Sequence, residues 1–187
     1  MRVIAGSARG LKLAAPPGLQ TRPTADRVKE ALFSIIASRL DLAGARVLDI
    51  CAGTGSLGIE ALSRGAACCC FIEQERPVLG ILEKNLARTG LAGRGEFLAL
   101  DAIVGLKRLS RQGKAFDIVF LDPPYSSDLY TAVAEALSSL LLLADGGLLV
   151  AECSSRAPLE QRYGMLVRVD RRAYGDTALE FFVRETQ

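Results

Sequence analysis

Arg46-Val-Leu-Asp-Ile-Cys51-Ala-Gly53-Thr-Gly55-Ser-Leu-Gly58 decides how the rest of the chain is read. Its first six residues are a short, nearly continuous apolar run, the pattern of a strand buried on both faces. Three glycines follow at Gly53-x-Gly55-x-x-Gly58, and Leu57 to Ser63 then reads as a helix closed by Gly65. Glycines let a backbone turn sharply and approach a ligand closely, and the helix start beyond them offers free N–H groups to an anion. The spacing matches the dinucleotide fingerprint, so a nicotinamide or flavin site competes with other nucleoside cofactors here. A plain structural turn accounts for one such glycine more easily than for three in register.

Outward from this stretch the pattern repeats. Cys68 to Glu73 is a second apolar run, and Pro77 opens a helix with Val78, Ile81, Leu82 and Leu86 on one face. Phe97 to Leu100 is a third strand, Ala102 to Arg111 a helix, and Phe116 to Leu121 a fourth strand. A helix over 129–143 is expected to stop at Asp145-Gly-Gly147, before a fifth strand from Leu148 to Glu152. Strands alternating with helices imply right-handed crossovers and a mostly parallel, doubly wound α/β sheet of Rossmann-like type. The tail departs from this: Leu166–Ala173 and Ala178–Val183 are separated only by Tyr174-Gly-Asp-Thr177. That link is too short for a crossover helix, so the two strands form a C-terminal antiparallel hairpin, bringing the sheet to seven strands.

Composition narrows the chemistry. The 187 residues suit one domain, and half are apolar. Histidine is absent, which excludes Ser-His-Asp and Cys-His catalysis and any His-ligated metal. The five cysteines, Cys51, Cys68, Cys69, Cys70 and Cys153, include no CxxC pair, and three adjacent thiols make a poor disulfide framework. Small buried thiols in a cytoplasmic protein, with no metal, are expected. The N-terminus lacks the apolar core of a signal peptide, and no run approaches a membrane span.

Acidic residues recur at strand ends. Glu73 ends the second strand, where a carboxylate accepts from ribose hydroxyls. Asp101 follows the third, placed either for an adenine amino group or simply to cap a helix. Asp122-Pro-Pro-Tyr125 follows the fourth. Consecutive prolines donate no backbone hydrogen bond and stiffen an extended segment with its carbonyls free. Asp122 and the Pro123 carbonyl thus form an acceptor-only cradle for an NH2 group, held taut by Pro124, with Tyr125 beside it to stack on a planar ring. A strand-ending turn is the plainer reading of Asp-Pro.

The five parallel strands and terminal hairpin resemble the layout of class I methyltransferases that use S-adenosylmethionine. Asp122-Pro-Pro-Tyr125 resembles the motif of methyltransferases acting on planar nitrogen: adenine N6, guanine N2 or a glutamine amide. By that resemblance the cofactor is held by Asp49, Ala52, Gly53, Thr54, Gly55, Gly58, Glu73, Gln74, Asp101 and Ala102. Gly53 and Gly55 lie near its methionine part, Glu73 at the ribose and Asp101 near the adenine. Cys51 stands where relatives often carry an aromatic or aliphatic residue.

Residues 1–45 are a different stretch, read as a small basic extension ahead of a methyltransferase domain over 46–187. Val3–Ala5 and Leu11–Leu13 suggest a hairpin, and Thr24 reads as the N-cap of a helix carrying Val28, Leu32, Ile35 and Ile36. The first 40 residues hold seven basic against two acidic side chains, a balance of +5, which leaves −3 for the remainder of a chain whose net charge is +2. A basic arm on a mildly acidic domain reads as a phosphate-binding surface, or as an ordinary solvated face. Gly6-Ser-Ala-Arg-Gly10, Arg22-Pro-Thr-Ala-Asp-Arg27-Val-Lys29, the glycine loop, Asp-Pro-Pro-Tyr and Tyr174-Gly-Asp-Thr177 together resemble the bacterial 16S ribosomal RNA guanine-N2 methyltransferase family. The resemblance spans essentially the whole chain. It implies 16S rRNA in an assembling 30S subunit as partner, contacted by Arg2, Arg9, Lys12, Arg22, Thr24, Arg27 and Lys29. Three other readings are open: a protein-glutamine or DNA-adenine methyltransferase, a nicotinamide oxidoreductase, or a non-catalytic RNA-binding assembly factor. DNA enzymes of this kind usually carry a target-recognition domain, for which 187 residues leave no room.

Overall fold

The computed structural model describes residues 1–16, 23–123 and 129–185. Pro124 and Tyr125 of the tetrapeptide, and Arg22 of the basic arm, lie outside the described residues, as does the side chain of Thr24.

One eight-stranded sheet organises the molecule, in the order β3-β2-β1-β4-β5-β8-β7-β6. Its parallel half is β1 (Arg46–Ile50), β2 (Cys68–Ile72), β3 (Gly95–Leu98), β4 (Phe116–Leu121) and β5 (Leu143–Ser154). The helices α2 (Ser56–Ser63), α3 (Arg76–Arg88), α4 (Ala102–Arg111) and α5 (Leu129–Ser139) make the crossovers. β7 (Leu166–Tyr174) and β8 (Thr177–Arg184) form the expected hairpin, with β8 antiparallel against β5. The eighth strand is β6 (Arg162–Tyr163), one strand more than the seven expected. Two residues carry too little periodicity to be seen in a sequence.

Central strands read as expected because both their faces are covered. Val47, Ile118, Phe120 and Val150 pack into one core with α2 and α3, while Leu48, Ile50, Val119 and Leu121 pack into another with α4 and α5. Helix α5 ends at Ser139 rather than near Leu143. The chain leaves the helix through Leu141, whose φ is 52°, and Leu143 already pairs with Phe116 in the sheet. Leu140-Leu-Leu-Leu143 is apolar on every side, so periodicity cannot separate helix from strand there.

The N-terminal residues have no core of their own. α1 (Pro23–Ala37) buries Val28, Leu32, Phe33 and Ile36 in the same cluster as Val47, Ile118 and Phe120, and Val3, Ala8 and Leu13 join it. The helix starts at Pro23, whose fixed φ suits the first helical position, so Thr24 lies within the first turn and is not the cap. Ahead of it, the expected hairpin pairs slightly earlier than read: Arg2 bridges Lys12 antiparallel, the Val3 N–H donates to Leu11 O and the Leu13 N–H to Met1 O, both at 3.0 Å. Cys69, Cys70 and Cys153 are buried free thiols, whereas Cys68 is exposed at the start of β2. Among the described residues no helix is long and apolar enough to cross a membrane.

Candidate active site

The carboxyl ends of β2, β1, β4 and β5 lie side by side, and each carries an acid: Glu73, Asp49, Asp122 and Glu152. The alternation along each strand sets all four on the sheet face that packs under α1. Phe71, Val47, Phe120 and Val150, each two residues earlier, belong to that core. Four acids at adjacent strand ends, two of them buried, mark the end of the sheet at which open α/β folds bind ligands in a crevice.

The glycine loop forms one wall. Three of five consecutive residues are left-handed: Cys51 at φ 58°, Gly53 at 55° and Gly55 at 83°. For Cys51 this conformation costs energy that a glycine would not, a strain held in place by its surroundings. Asp49 is buried and its Oδ2 accepts the Gly58 N–H at 2.9 Å, so it shapes the loop from below. Burial, partly offset by that N–H and reinforced by Glu73, pushes the Asp49 carboxyl up to about 7. The Gly58 position itself admits no side chain, since a Cβ there would stand 2.3 Å from Phe71 Cε1 and 2.6 Å from Cys69 Sγ.

Glu73 accepts the N–H of Gly53 through Oε2 and that of Glu75 through Oε1, both at 2.9 Å. Each oxygen keeps a further lone pair, as a ribose-binding carboxylate requires. Asp101 caps α4, its Oδ1 accepting from Ile103 and Val104 at 2.9 and 3.3 Å. The capping reading therefore holds, through Oδ1, on a residue that is exposed. Gln74 is exposed, while Ala52 and Ala102 are buried beneath the loop and the α4 start. The Cys51 thiol stands among these groups: burial, then Glu73, Asp49, Asp122 and Asp101, push it up to about 12.

Asp122 opens to solvent at the crevice mouth, but protein crowds it from behind. That crowding, with the carboxylates of Glu152 and Asp49, raises its carboxyl well above the ordinary range. Pro123 is buried, and its carbonyl accepts the Tyr130 hydroxyl at 3.4 Å. The same hydroxyl donates at 2.8 Å to the Glu152 carbonyl, so Tyr130 of α5 ties the ends of β4 and β5 together.

Some of the site was not foreseen. Asn85 falls on the apolar stripe of α3, three residues after Leu82, and is buried. It donates to Thr54 O and Ala14 O at 3.0 Å and accepts from Ala14 N at 2.8 Å, stapling the loop to the N-terminal segment. A polar residue on a buried stripe was the available signal. Glu60 is fully buried in α2 and accepts the N–H groups of Ile4 and Ala5 at 2.7 and 3.0 Å, with Arg64 at 2.8 Å.

Lys29 requires a correction. Expected at the RNA, it is 4% exposed, with its ammonium 2.6 Å from Arg2 O and 3.5 Å from Glu60 Oε2. Burial lowers its pKa, opposed by Glu60. Enclosed this way it anchors the segment and offers nothing to a phosphate. Arg2, Arg9, Lys12 and Arg27 are exposed, Arg2 bonding to Asp26 at 3.1 Å.

Comparison with known proteins gives the family. Residues 1–183 match the family described as conserved hypothetical protein 95. Ribosomal RNA small subunit methyltransferase D of Escherichia coli K12 is 40% identical over 152 residues, covering 81% of this chain and 74% of that protein. YlbH of Bacillus subtilis 168 is 36% identical over 182 residues, covering 97% and 98%. The structure of yhhF from Escherichia coli superposes with a TM-score of 0.86 at 37% identity, covering 100% and 99%. On sequence and fold together, the chain belongs to the conserved hypothetical protein 95 family and is a class I methyltransferase.

Proposed function

We propose that this enzyme methylates the exocyclic N2 amine of one guanine in 16S ribosomal RNA, using S-adenosylmethionine, on an assembling small subunit in the cytoplasm. The observation that carries the reading is the acceptor pair Asp122 and Pro123 O, set at a strand end beside a glycine loop. The relative named for small-subunit ribosomal RNA supports the choice of substrate.

The residues present fit the cofactor. A Cβ at Gly53 would meet nothing within 4 Å, so the loop presents open backbone to the crevice. Glu73 suits the ribose hydroxyls and Asp101 Oδ2 the adenine amine. The acids set about the glycine loop, Asp49 beneath it and Glu73 beside it, suit a cation. When bound, S-adenosylmethionine supplies a methyl carbon made electrophilic by a positively charged sulfur.

The chain's task is then placement. Asp122 and the Pro123 carbonyl accept the two amine hydrogens, turn the nitrogen lone pair out of conjugation and favour the positive charge that develops there. Asp122 is raised in the ligand-free chain by crowding and by its acidic neighbours. A cation beside it returns it to the ionised, accepting form. The amine proton passes to water or to Asp122, so no histidine is needed. Arg9, Lys12 and Arg27 offer exposed cations to RNA phosphates, with Arg2 beside them and Arg22 in the same arm. The target base is splayed out of the RNA to reach the crevice.

Asp122→Ala is expected to slow single-turnover transfer about 100-fold while cofactor affinity stays within about threefold. Near-normal turnover with unchanged cofactor binding would overturn the acceptor cradle.

A further inference from the structure

The cradle leaves part of the target base unread. If Asp122 and the Pro123 carbonyl accept the two hydrogens of the amine, guanine still presents its ring N1–H on the same edge. An acceptor for that proton distinguishes guanine from 2-aminopurine, whose N1 is itself an acceptor.

Glu152 is placed for it. Leu121 pairs with Ala151 in the parallel β4–β5 ladder, so the next residues, Asp122 and Glu152, emerge abreast. Neighbouring strands lie about 4.8 Å apart. Both residues take the same sheet face, two positions beyond Phe120 and Val150 of one core. Glu152 is half-buried, and it heads the charges acting on the Asp122 carboxyl, which fits two acids sharing one recess. The Tyr130 hydroxyl, on a buried side chain, reaches Glu152 O at 2.8 Å and Pro123 O at 3.4 Å. One group thereby fixes the backbone that carries Glu152 relative to the carbonyl that receives the amine.

We infer that Glu152 is a specificity residue, its carboxylate accepting guanine N1–H beside the amine held by Asp122 and Pro123. This rests on the guanine-N2 reading and extends it from the reacting atom to the base edge. Adenine offers an acceptor at N1, which the Glu152 carboxylate would repel.

The test uses full-length enzyme and small subunits reconstituted with 16S rRNA carrying either guanine or 2-aminopurine at the methylated nucleotide. 2-Aminopurine keeps the reactive amine but has an acceptor at N1. The wild type is expected to prefer guanine by about 10- to 100-fold in single-turnover rate. Glu152→Ala should lose that preference to within about threefold, both substrates being compared at saturating cofactor. Glu152→Gln, which preserves shape should the alanine variant fail to fold, should shrink the preference, because its amide can donate to 2-aminopurine N1. An unchanged preference in either folded variant overturns the inference. Asp122→Ala is run alongside. If it transfers at the wild-type rate, the cradle itself fails; if it is inactive while Glu152→Ala keeps the preference, only the role of Glu152 fails.

Discussion

Asp49 shows how one residue can be read correctly in place and incompletely in role. Its position at the end of β1 was legible from the apolar run before it and the glycines after it. Its work, accepting the Gly58 N–H from beneath, depends on where the helix closes back on the strand. Folding raises its carboxyl from an ordinary 3.8 to about 7, chiefly by burial. Between about pH 4 and 7 the folded chain therefore holds a proton that the unfolded chain has released, and stability falls as pH rises through that window. Asp49→Asn removes this dependence. Denaturant unfolding at several pH values should show the variant gaining on the wild type from pH 4 to 7; a constant difference would refute the assignment. Glu152 was missed for a related reason. An acid after an apolar run is common, and only the β4–β5 register sets it beside Asp122.

At the scale of elements, the attachment of the N-terminal segment to α2 is the feature least visible in the sequence. Seven basic residues in 40 suggested an arm committed to RNA, yet the structure spends Lys29 on a buried acid. Such a pairing joins residues far apart in the chain, and charge counting cannot detect it. The contact is close as well as charged. Ser7 N reaches Ser63 O at 2.8 Å, and a Cβ at Gly6, where φ is 83°, would lie 1.8 Å from that same oxygen. Glu60→Ala should destabilise the fold by about 3–5 kcal/mol, because it strands the Lys29 ammonium and two backbone N–H groups. Thermal or denaturant unfolding measures this, and a loss below about 1 kcal/mol would mean the segment is held by its apolar contacts alone. The glycine loop and the C-terminal hairpin were legible by contrast, because each is coded within a few neighbouring residues. Strand β6 and the end of α5 were not, being settled by sheet pairing.

For the whole molecule, the net charge of +2 averages two unlike surfaces: a basic N-terminal face and an acidic crevice. The first is suited to phosphate and the second to a cationic cofactor. If about four phosphates are contacted, log affinity for single-stranded RNA should fall with log salt at a slope of about −3, and removing Arg9 and Arg27 together should flatten it by about 1 to 1.5. A wild-type slope near zero would remove the basic face from substrate binding. The double variant should leave cofactor affinity unchanged, since neither cation belongs to the crevice. The fold class and the turn of the glycine loop were therefore readable in one dimension. The sharing of one core by the N-terminal segment and the sheet emerged only in three.

The most direct test of guanine-N2 methylation is labelled methyl transfer from S-adenosylmethionine, with small subunits from cells lacking this activity, naked 16S rRNA, DNA and total protein as parallel substrates. Label in 16S rRNA, recovered after nuclease digestion as a single N2-methylguanosine and absent with Asp122→Ala, is the predicted result. Label confined to protein or DNA, or to another atom of the RNA, would contradict it.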